Sequence, residues 1–328
     1  PFMSESQSIQ SQSIQSQFKQ YVLSDADTSM SLGASDYLGQ LGDPSLEHMH
    51  DDTRLAKELL VKIENHQSDD FDEKLDLDLM SRYLRQHIFF NELNQHGQPQ
   101  RRRQPGGVDG ISAGIFQLFV NDERDSHARL EDILSRLQQA PNYLAIESEV
   151  ISEPIKRWCD IEIEQGEGLP DLFTTILNWA QQEKFEKFEP LQTAINECNE
   201  ALAQYLKDLQ GRTCISDFAI GEDKVKELLA IRQIHQSPQQ LAQMARDFME
   251  QTQTLLNELS VKLCKKYALS ADTSESDLHE FLNEKFAAKL TNGKLESVLD
   301  YYSQQIESIN KFVNKHKLFA LPEQQSIK

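Results

Sequence analysis

The chain has 328 residues, of which 38% are hydrophobic and 26% are charged, and its formal net charge is −20. A chain of this length can bury a sizeable core as one or two domains. So acidic a surface repels phosphate backbones and anionic lipids, and we expect neither nucleic acid nor a membrane surface as a partner. Its 13 glycines and 10 prolines are few, which disfavours turn-rich sandwiches and barrels and favours long helices.

The N-terminal segment is rich in serine and glutamine, and we interpret residues 1–13 as a tail or a cloning remnant. Apolar residues from Ile14 onwards recur at helical spacing and predict a helix that runs to about Met30. Residues 32–52 contain three glycines and the turn signal Asp43-Pro44, so we expect a loop there.

Helical periodicity then continues along most of the chain. Apolar stripes cover residues 55–63, 75–93, 115–120, 129–139, 143–151, 171–177, 191–209, 222–234, 241–263, 278–290 and 295–313. Pro141, Asp171 and Pro190 are interpreted as helix starts. No segment alternates as a half-buried strand does, and no strand–helix–strand rhythm is present. The sequence therefore predicts an all-α array of about ten helices.

We expect this array to form one multi-helical domain over residues 14–318, followed by a C-terminal extension over 319–328. No stretch of 18 or more apolar residues could span a membrane, and no apolar signal segment follows the N-terminus. The four cysteines show no C-x-x-C spacing and fall mostly beside apolar residues, as reduced thiols in a core do. These features predict a cytoplasmic protein.

One histidine motif comes near to the zincin pattern H-E-x-x-H, in which two histidines on one helix face bind zinc. His279-Glu280 begins the pattern, but position 283 is asparagine, so the second ligand is missing. We interpret the segment as the start of a helix near Ser276, where Asp277 and Glu280 favour the positive helix end.

A second histidine pair lies in the predicted loop, in the run from His48 to Asp52. Histidines two residues apart face the same way in an extended chain and could chelate a divalent ion there. We favour a solvated polar loop and keep the chelating loop as the alternative.

A third segment combines cationic residues with glycines. Arg101, Arg102 and Arg103 precede Gly106 and Gly107, and glycine-rich backbone can form anion-binding nests. No Lys-Ser/Thr follows, as a P-loop would require. We favour a flexible surface loop over residues 98–114 and keep an anion-binding loop as the alternative.

Several segments, taken together, resemble a known family. They are Leu32-Gly33, Asp36-Tyr37, Ile115 to Phe119, Arg129-Leu130, Ala140 to Leu144, Asp217 to Glu222, Ser237 to Leu241 and Asn314 to Pro322. Their order and spacing resemble the bacterial family called domain of unknown function 885, from about residue 18 to the end of the chain.

The resemblance implies a helical fold similar to zinc peptidases of the zincin group. In that family the metal motif H-E-x-x-P-G-H lies downstream of a Leu-Pro segment like Leu321-Pro322. This chain has six residues after Pro322, so we expect it to match the N-terminal half only. No catalytic or metal-binding residue of the family can be assigned to a position here, and zinc would require the C-terminal half.

Two functions are consistent with this sequence. The first is a non-catalytic helical portion of a peptidase-like protein that forms one wall of a peptide-substrate cleft. The second is a free-standing helical interaction module without enzyme activity. In either case the apolar helices over 241–263 and 295–313 predict a partner, which would be the missing C-terminal half or a second copy of the chain.

Overall fold

The computed structural model describes residues 13–34, 36–120, 122–287 and 296–321. These residues form twelve α-helices, one 3₁₀ helix and one two-stranded hairpin, so the predicted all-α fold is confirmed. The described helices include none that is long and apolar enough to cross a membrane. Most of the predicted N-terminal tail, and the predicted extension from residue 322 onwards, lie outside the described residues.

The helices follow one another through short connections. In chain order they are α1 (Ile14–Leu23), α2 (Ala26–Ser31), α3 (Leu46–Asn65), α4 (Phe71–Glu92), α5 (Gly107–Val120), α6 (Ser126–Val150), α7 (Lys156–Gln182), α8 (Phe188–Gln210), α9 (Glu222–Ile231), α10 (Pro238–Tyr267), α11 (Glu275–Phe286) and α12 (Glu296–His316). Between α4 and α5 lie β1 (Asn94–Gln95), β2 (Gln98–Pro99) and the 3₁₀ helix Gln100–Arg102. The antiparallel hairpin pairs Asn94 with Pro99 and Gln95 with Gln98.

Packing divides the chain into two compact units, Pro1–Pro238 and Gln239–Lys328. A single domain over residues 14–318 stays a prediction.

The first unit holds two apolar clusters. The larger is built from α5, α6, α7 and α8, and its fully buried side chains include Ile115, Leu137, Phe173 and Leu202. The smaller joins α3 to α4 through Leu59, Ile63 and Leu84, and side chains of α1 pack against it. These two clusters together contain most of the buried apolar residues of the first unit.

The second unit buries far less of its apolar surface. Cys264 on α10, Leu278 on α11 and Val313 on α12 are its buried hydrophobic side chains among the described residues. Tyr267 and Phe281 contact each other with ring centroids 5.5 Å apart.

Two sequence-based boundaries at the N-terminal end were wrong. The predicted helix to Met30 is broken between α1 and α2, because Asp25 caps a new helix by accepting a hydrogen bond from Thr28 N at 2.7 Å. The predicted loop over 32–52 ends early, because Ser45 caps α3 by accepting from His48 N at 3.1 Å. An N-cap side chain satisfies an amide that the first helical turn leaves unpaired.

The helix starts predicted at Pro141, Asp171 and Pro190 also differ from the structure. Pro141 lies inside α6, and Asp171 lies inside α7, which continues through Pro170. Helix α8 begins at Phe188, two residues before Pro190. A proline removes one intrahelical hydrogen bond, and the long buried faces of these helices offset that loss.

Candidate functional site

The first unit has an open cleft of about 970 Å³. Side chains from α1, α3 and α4 line it on one side, and the segment before α5 lines it on the other. Its aromatic lining residues are Tyr21, Tyr83, Phe90 and Tyr143, and its acidic lining residues are Asp25, Asp27, Asp43 and Asp52. A cleft of this volume is large enough for a small ligand or a few residues of a peptide.

The run from His48 to Asp52 lies on the first turns of α3, so the predicted loop was wrong. Positions four apart share a helix face, and His48 and Asp52 both line the cleft. His50 lies on another face and lines a separate depression. The alternative of a chelating extended loop is therefore wrong, because the two histidines point into different parts of the surface.

Asp52 is the centre of a hydrogen-bonded group at one end of the cleft. Its Oδ2 contacts Nε2 of His87 on α4. Asn91 Nδ2 donates to the same oxygen at 3.3 Å and to Thr53 Oγ1 at 3.0 Å. The Tyr21 hydroxyl on α1 also donates to Asp52. One carboxylate thus links three helices.

The pKa values in this group follow from its charges. Partial burial acts to raise the pKa of Asp52, but the hydrogen bond and charge of His87 and the bond from Tyr21 lower the pKa overall. Burial, followed by the negative charge of Asp52, raises the pKa of Tyr21. Burial and the charges of Asp25 and Asp52 raise the pKa of Tyr83. These shifts favour the carboxylate form of Asp52 and the neutral hydroxyl forms of Tyr21 and Tyr83.

Arg101 also lines the cleft and is paired with a fully buried carboxylate. Its Nη1 donates to Glu147 Oε1 at 3.1 Å, and its Nη2 contacts Oε2. Nη2 also donates to the carbonyl of Pro44 at 2.7 Å. Burial acts to lower the pKa of Arg101, but the bonds and charge of Glu147 raise it overall. The two bonds to Glu147 thus stabilise the guanidinium form of Arg101.

The same carboxylate holds the start of α5. Gly106 N donates to Glu147 Oε1 at 2.8 Å, and Val108 N donates to Glu162 Oε1 at 2.7 Å. The Tyr205 hydroxyl donates to Glu162 Oε1 at 2.9 Å. Two glutamates from α6 and α7 therefore satisfy amides that a helix start leaves unpaired.

The residues of the predicted anion-binding loop are held in position by contacts within the protein. Arg101 and Gly106 bind the Glu147 carboxylate, and Gly107 is buried in the first turn of α5. Arg103 is 3% exposed and donates to the carbonyl and carboxylate of Glu153. The flexible surface loop over 98–114 was wrong, since the segment is a hairpin, a 3₁₀ turn and a buried helix. Binding of an external anion at these residues stays a prediction.

In the second unit, His279 lies on α11, which begins at Glu275, one residue before the predicted start, and is capped by Ser274. Asn283 Nδ2 contacts His279 Nδ1 at 3.2 Å. Among the described residues, no group of three His, Cys, Asp or Glu side chains could hold a metal ion. Zinc binding by a C-terminal half stays a prediction.

Most of the cleft residues carry no sequence signal. Tyr21, Tyr83 and Asn91 lie on ordinary amphipathic stretches of α1 and α4. Asp52 and His48 were singled out in the sequence, although for a different geometry. The i,i+4 spacing of His48 and Asp52, and of His87 and Asn91, is the one pattern that could have indicated two facing helices.

The architecture defines an all-helical protein with a cleft in its first unit. The family model for bacterial proteins of unknown function, DUF885, matches residues 27–327. The chain belongs to this family.

A solved structure is similar over nearly the whole chain. It is a protein from Shewanella oneidensis described as a candidate lipoprotein of unknown function, and the TM-score is 0.65 with 17% sequence identity. The match covers 95% of this chain and 59% of that one, so this chain spans about three fifths of the neighbour's length. At this identity the similarity shows the fold alone. A search of curated proteins found no match.

Proposed function

We propose that the chain is a non-catalytic helical portion of a peptidase-like protein, and that the cleft of its first unit forms one wall of a peptide-binding site. The observation that carries the proposal is the open cleft itself, about 970 Å³ in volume and lined by both aromatic rings and hydrogen-bonding groups. Extended peptides need such a mixture, because their backbone requires polar partners and their side chains apolar contact.

Affinity selection of a random hexapeptide library on the immobilised chain tests this proposal. Gln104→Trp serves as the variant with a blocked cleft. Gln104 is exposed and lines the cleft, so an indole at this position occupies space that a bound peptide would fill. Peptides retained by the wild type and lost from the variant support the proposal. Equal retention by both proteins, or no retention by either, would overturn it.

The proposal that this chain is non-catalytic can be tested separately. The family resemblance places zinc chemistry in an H-E-x-x-P-G-H segment, and this sequence contains no such segment. We expect chelator-washed protein to contain no stoichiometric zinc and to cleave no peptide. Stoichiometric zinc in elemental analysis that is lost on His279→Ala would contradict this.

A second candidate is an interaction module, favoured by exposed apolar side chains in the second unit. On α10 these are Met244, Phe248, Met249, Leu255, Leu256, Leu259 and Val261, and on α12 they are Leu299, Tyr302, Ile306, Ile309 and Phe312. Apolar patches of this kind mark partner surfaces. The structural neighbour is longer than this chain, so we propose a C-terminal half as the partner that covers them.

Light scattering across a concentration series, with a dye that reports apolar surface, tests this candidate. A monomer that binds the dye, and loses dye binding when the C-terminal half is added, supports it. A dimer that forms as the concentration rises would indicate that the partner is a second copy of the chain and not a C-terminal half. A monomer that binds no dye would rule out the interaction surface.

We propose a cytoplasmic location on the basis of the thiols. Cys159 and Cys198 are buried and free, and burial raises the pKa of each to about 12. Free buried thiols persist in reducing compartments. Fractionation of cells that produce the complete gene product tests this, and recovery of the protein outside the cytoplasm would contradict it.

A further inference from the structure

The end of the cleft between α1, α3 and α4 combines carboxylates with accessible aromatic rings. Asp25, Asp52, Tyr21 and Tyr83 all line the cleft there. Asp27 and Asp43 line the same cleft.

The carboxylates keep acceptor capacity for a ligand. Asp25 uses Oδ1 to cap α2 at Thr28 N, and Asp43 uses Oδ1 to accept from Ser45 N at 2.8 Å. Asp27 uses Oδ1 for an ion pair with Arg136 at 2.7 Å and is 43% exposed. In the described part of the chain, each of these aspartates thus has a second oxygen that can accept a hydrogen bond.

The positive charges at the cleft do not offset these acids. Arg101 is neutralised by Glu147, with which it forms two hydrogen bonds. His87 is paired with Asp52, and His48 lies near the start of α3 on the same helix face as Asp52. Asp27 is paired with Arg136, so the remaining charge is carried by Asp25 and Asp43.

The aromatic rings are a second and independent feature. Tyr83 is 42% exposed and Phe90 is 40% exposed, although both face a concave surface. Tyr83 is stacked on His87 with an interplanar angle of 2° and a centroid distance of 6.4 Å, and Phe18 contacts its edge. A ring held in this way presents a fixed face, and aromatic faces attract cations.

We propose that this end of the cleft binds a guanidinium group, carried by the arginine side chain of a peptide. A guanidinium is planar and stacks on aromatic faces, and its five donors suit carboxylates that come from separate elements. This inference rests on the proposed function where it names a peptide, and the guanidinium chemistry can be tested without one.

The probe is N-acetyl-arginine amide, compared with its neutral isostere N-acetyl-citrulline amide by isothermal titration calorimetry on the full chain. Asp25→Asn is the test variant, because asparagine is as good an N-cap as aspartate and removes only the charge. Asp70→Asn is the matched control, because Asp70 caps α4 in the same way outside the cleft. Both variants change the net charge equally.

We expect the arginine probe to bind and the citrulline probe to bind at least about tenfold more weakly. Asp25→Asn should weaken arginine binding by about fivefold to tenfold, and Asp70→Asn should leave it unchanged. Equal affinity for the two probes, or equal losses in both variants, would overturn the inference. If Asp25→Asn unfolds, Asp43→Asn serves as the second variant, since asparagine also preserves the turn at Ser45.

The peptide library separates the two proposals. Arginine binding that depends on Asp25, without cleft-dependent peptide retention, supports the guanidinium site and removes the peptide function. Cleft-dependent retention of peptides with no enrichment of arginine supports the peptide function and overturns the guanidinium site.

Discussion

At the scale of single residues, the ion pair between Arg101 and Glu147 shows how a cationic run in the sequence is used inside the fold. Glu147 is fully buried, and Arg101 supplies its only cation among the described ion pairs. Removing one member of a buried pair leaves an uncompensated charge, which is more costly than the pair is favourable. We expect Arg101→Met to lower the free energy of unfolding by about 3–5 kcal/mol in urea unfolding.

Arg102→Met is the control for this substitution, since Arg102 is half-buried and next in the chain. It should change the free energy of unfolding by less than about 1 kcal/mol. Arg101→Lys should recover part of the loss, because it keeps the charge but not the paired donors. Equal effects of Arg101→Met and Arg102→Met would contradict a specific role for the pair.

Glu162 presents the opposite case, a buried carboxyl that forms no ion pair with any residue that the structure describes. Burial raises its pKa above the ordinary value near 4.5, although Val108 N and the Tyr205 hydroxyl act to lower it. The folded chain therefore holds the proton to higher pH than the unfolded chain does, so stability falls as pH rises between the two pKa values. We expect the wild type to lose stability relative to Glu162→Gln as pH rises above about 4.5.

Urea unfolding at pH values from about 4 to 8 measures this difference. Any fixed effect of the glutamine amide shifts the whole curve and leaves the pH slope unchanged. Glu164→Gln, an exposed substitution on the same helix, should give a curve parallel to that of the wild type. Parallel curves for Glu162→Gln would show that burial does not raise the pKa of Glu162.

At the scale of elements, the glycines of α5 are packing residues. A Cβ at Gly107 would lie 2.8 Å from Tyr205 Cζ and 2.9 Å from Leu144 Cδ2, and one at Gly114 would overlap Arg136. Gly168 in the middle of α7 has no neighbouring atom within 4 Å at the same position. Gly107→Ala should therefore lower stability by about 1–3 kcal/mol through overpacking, whereas Gly168→Ala should raise it by about 0.5–1 kcal/mol.

Thermal and urea unfolding of the two alanine variants test this pair. Because both variants make the same substitution at a helical glycine, the difference between them separates the effect of space around the Cβ from the effect of helix propensity. A stabilised Gly107→Ala would mean that α6 and α8 can move apart from α5 at little cost.

These glycines also show why most helices could be predicted from the sequence, whereas the first half of α5, residues 107–114, was taken for a loop. Apolar residues at a 3.6-residue period indicate helices from local information alone, as in α4 and α8. A glycine that makes room for the side chain of Tyr205 or Arg136 cannot be told from a loop glycine in the sequence. Only the residues packed against it in the structure distinguish the two. The cleft was not predictable either, because Tyr21, Asp52 and His87 lie on three helices that no local pattern brings together.

At the scale of the whole molecule, the buried residues are unevenly shared between the two compact units. Helix α6 in the first unit has nine buried residues out of 25, and α10, which makes up much of the second unit, has one, Cys264, in 30 residues. Local stability follows the amount of buried apolar contact. The net charge of −20 adds self-repulsion to the whole chain, which favours opening where that contact is sparse.

Hydrogen exchange of the full chain tests this uneven distribution and the prediction of one domain over residues 14–318. Amides of α10 should exchange at least about a hundredfold faster than those of α6, because opening α10 exposes little apolar surface. Two protection levels that divide near residue 238 would identify two separate cooperative units. A common protection level for both helices would instead support the single domain, because one cooperative transition must then open both. Adding the proposed C-terminal half should slow exchange in α10 more than in α6, since its exposed apolar side chains are those that this partner would cover.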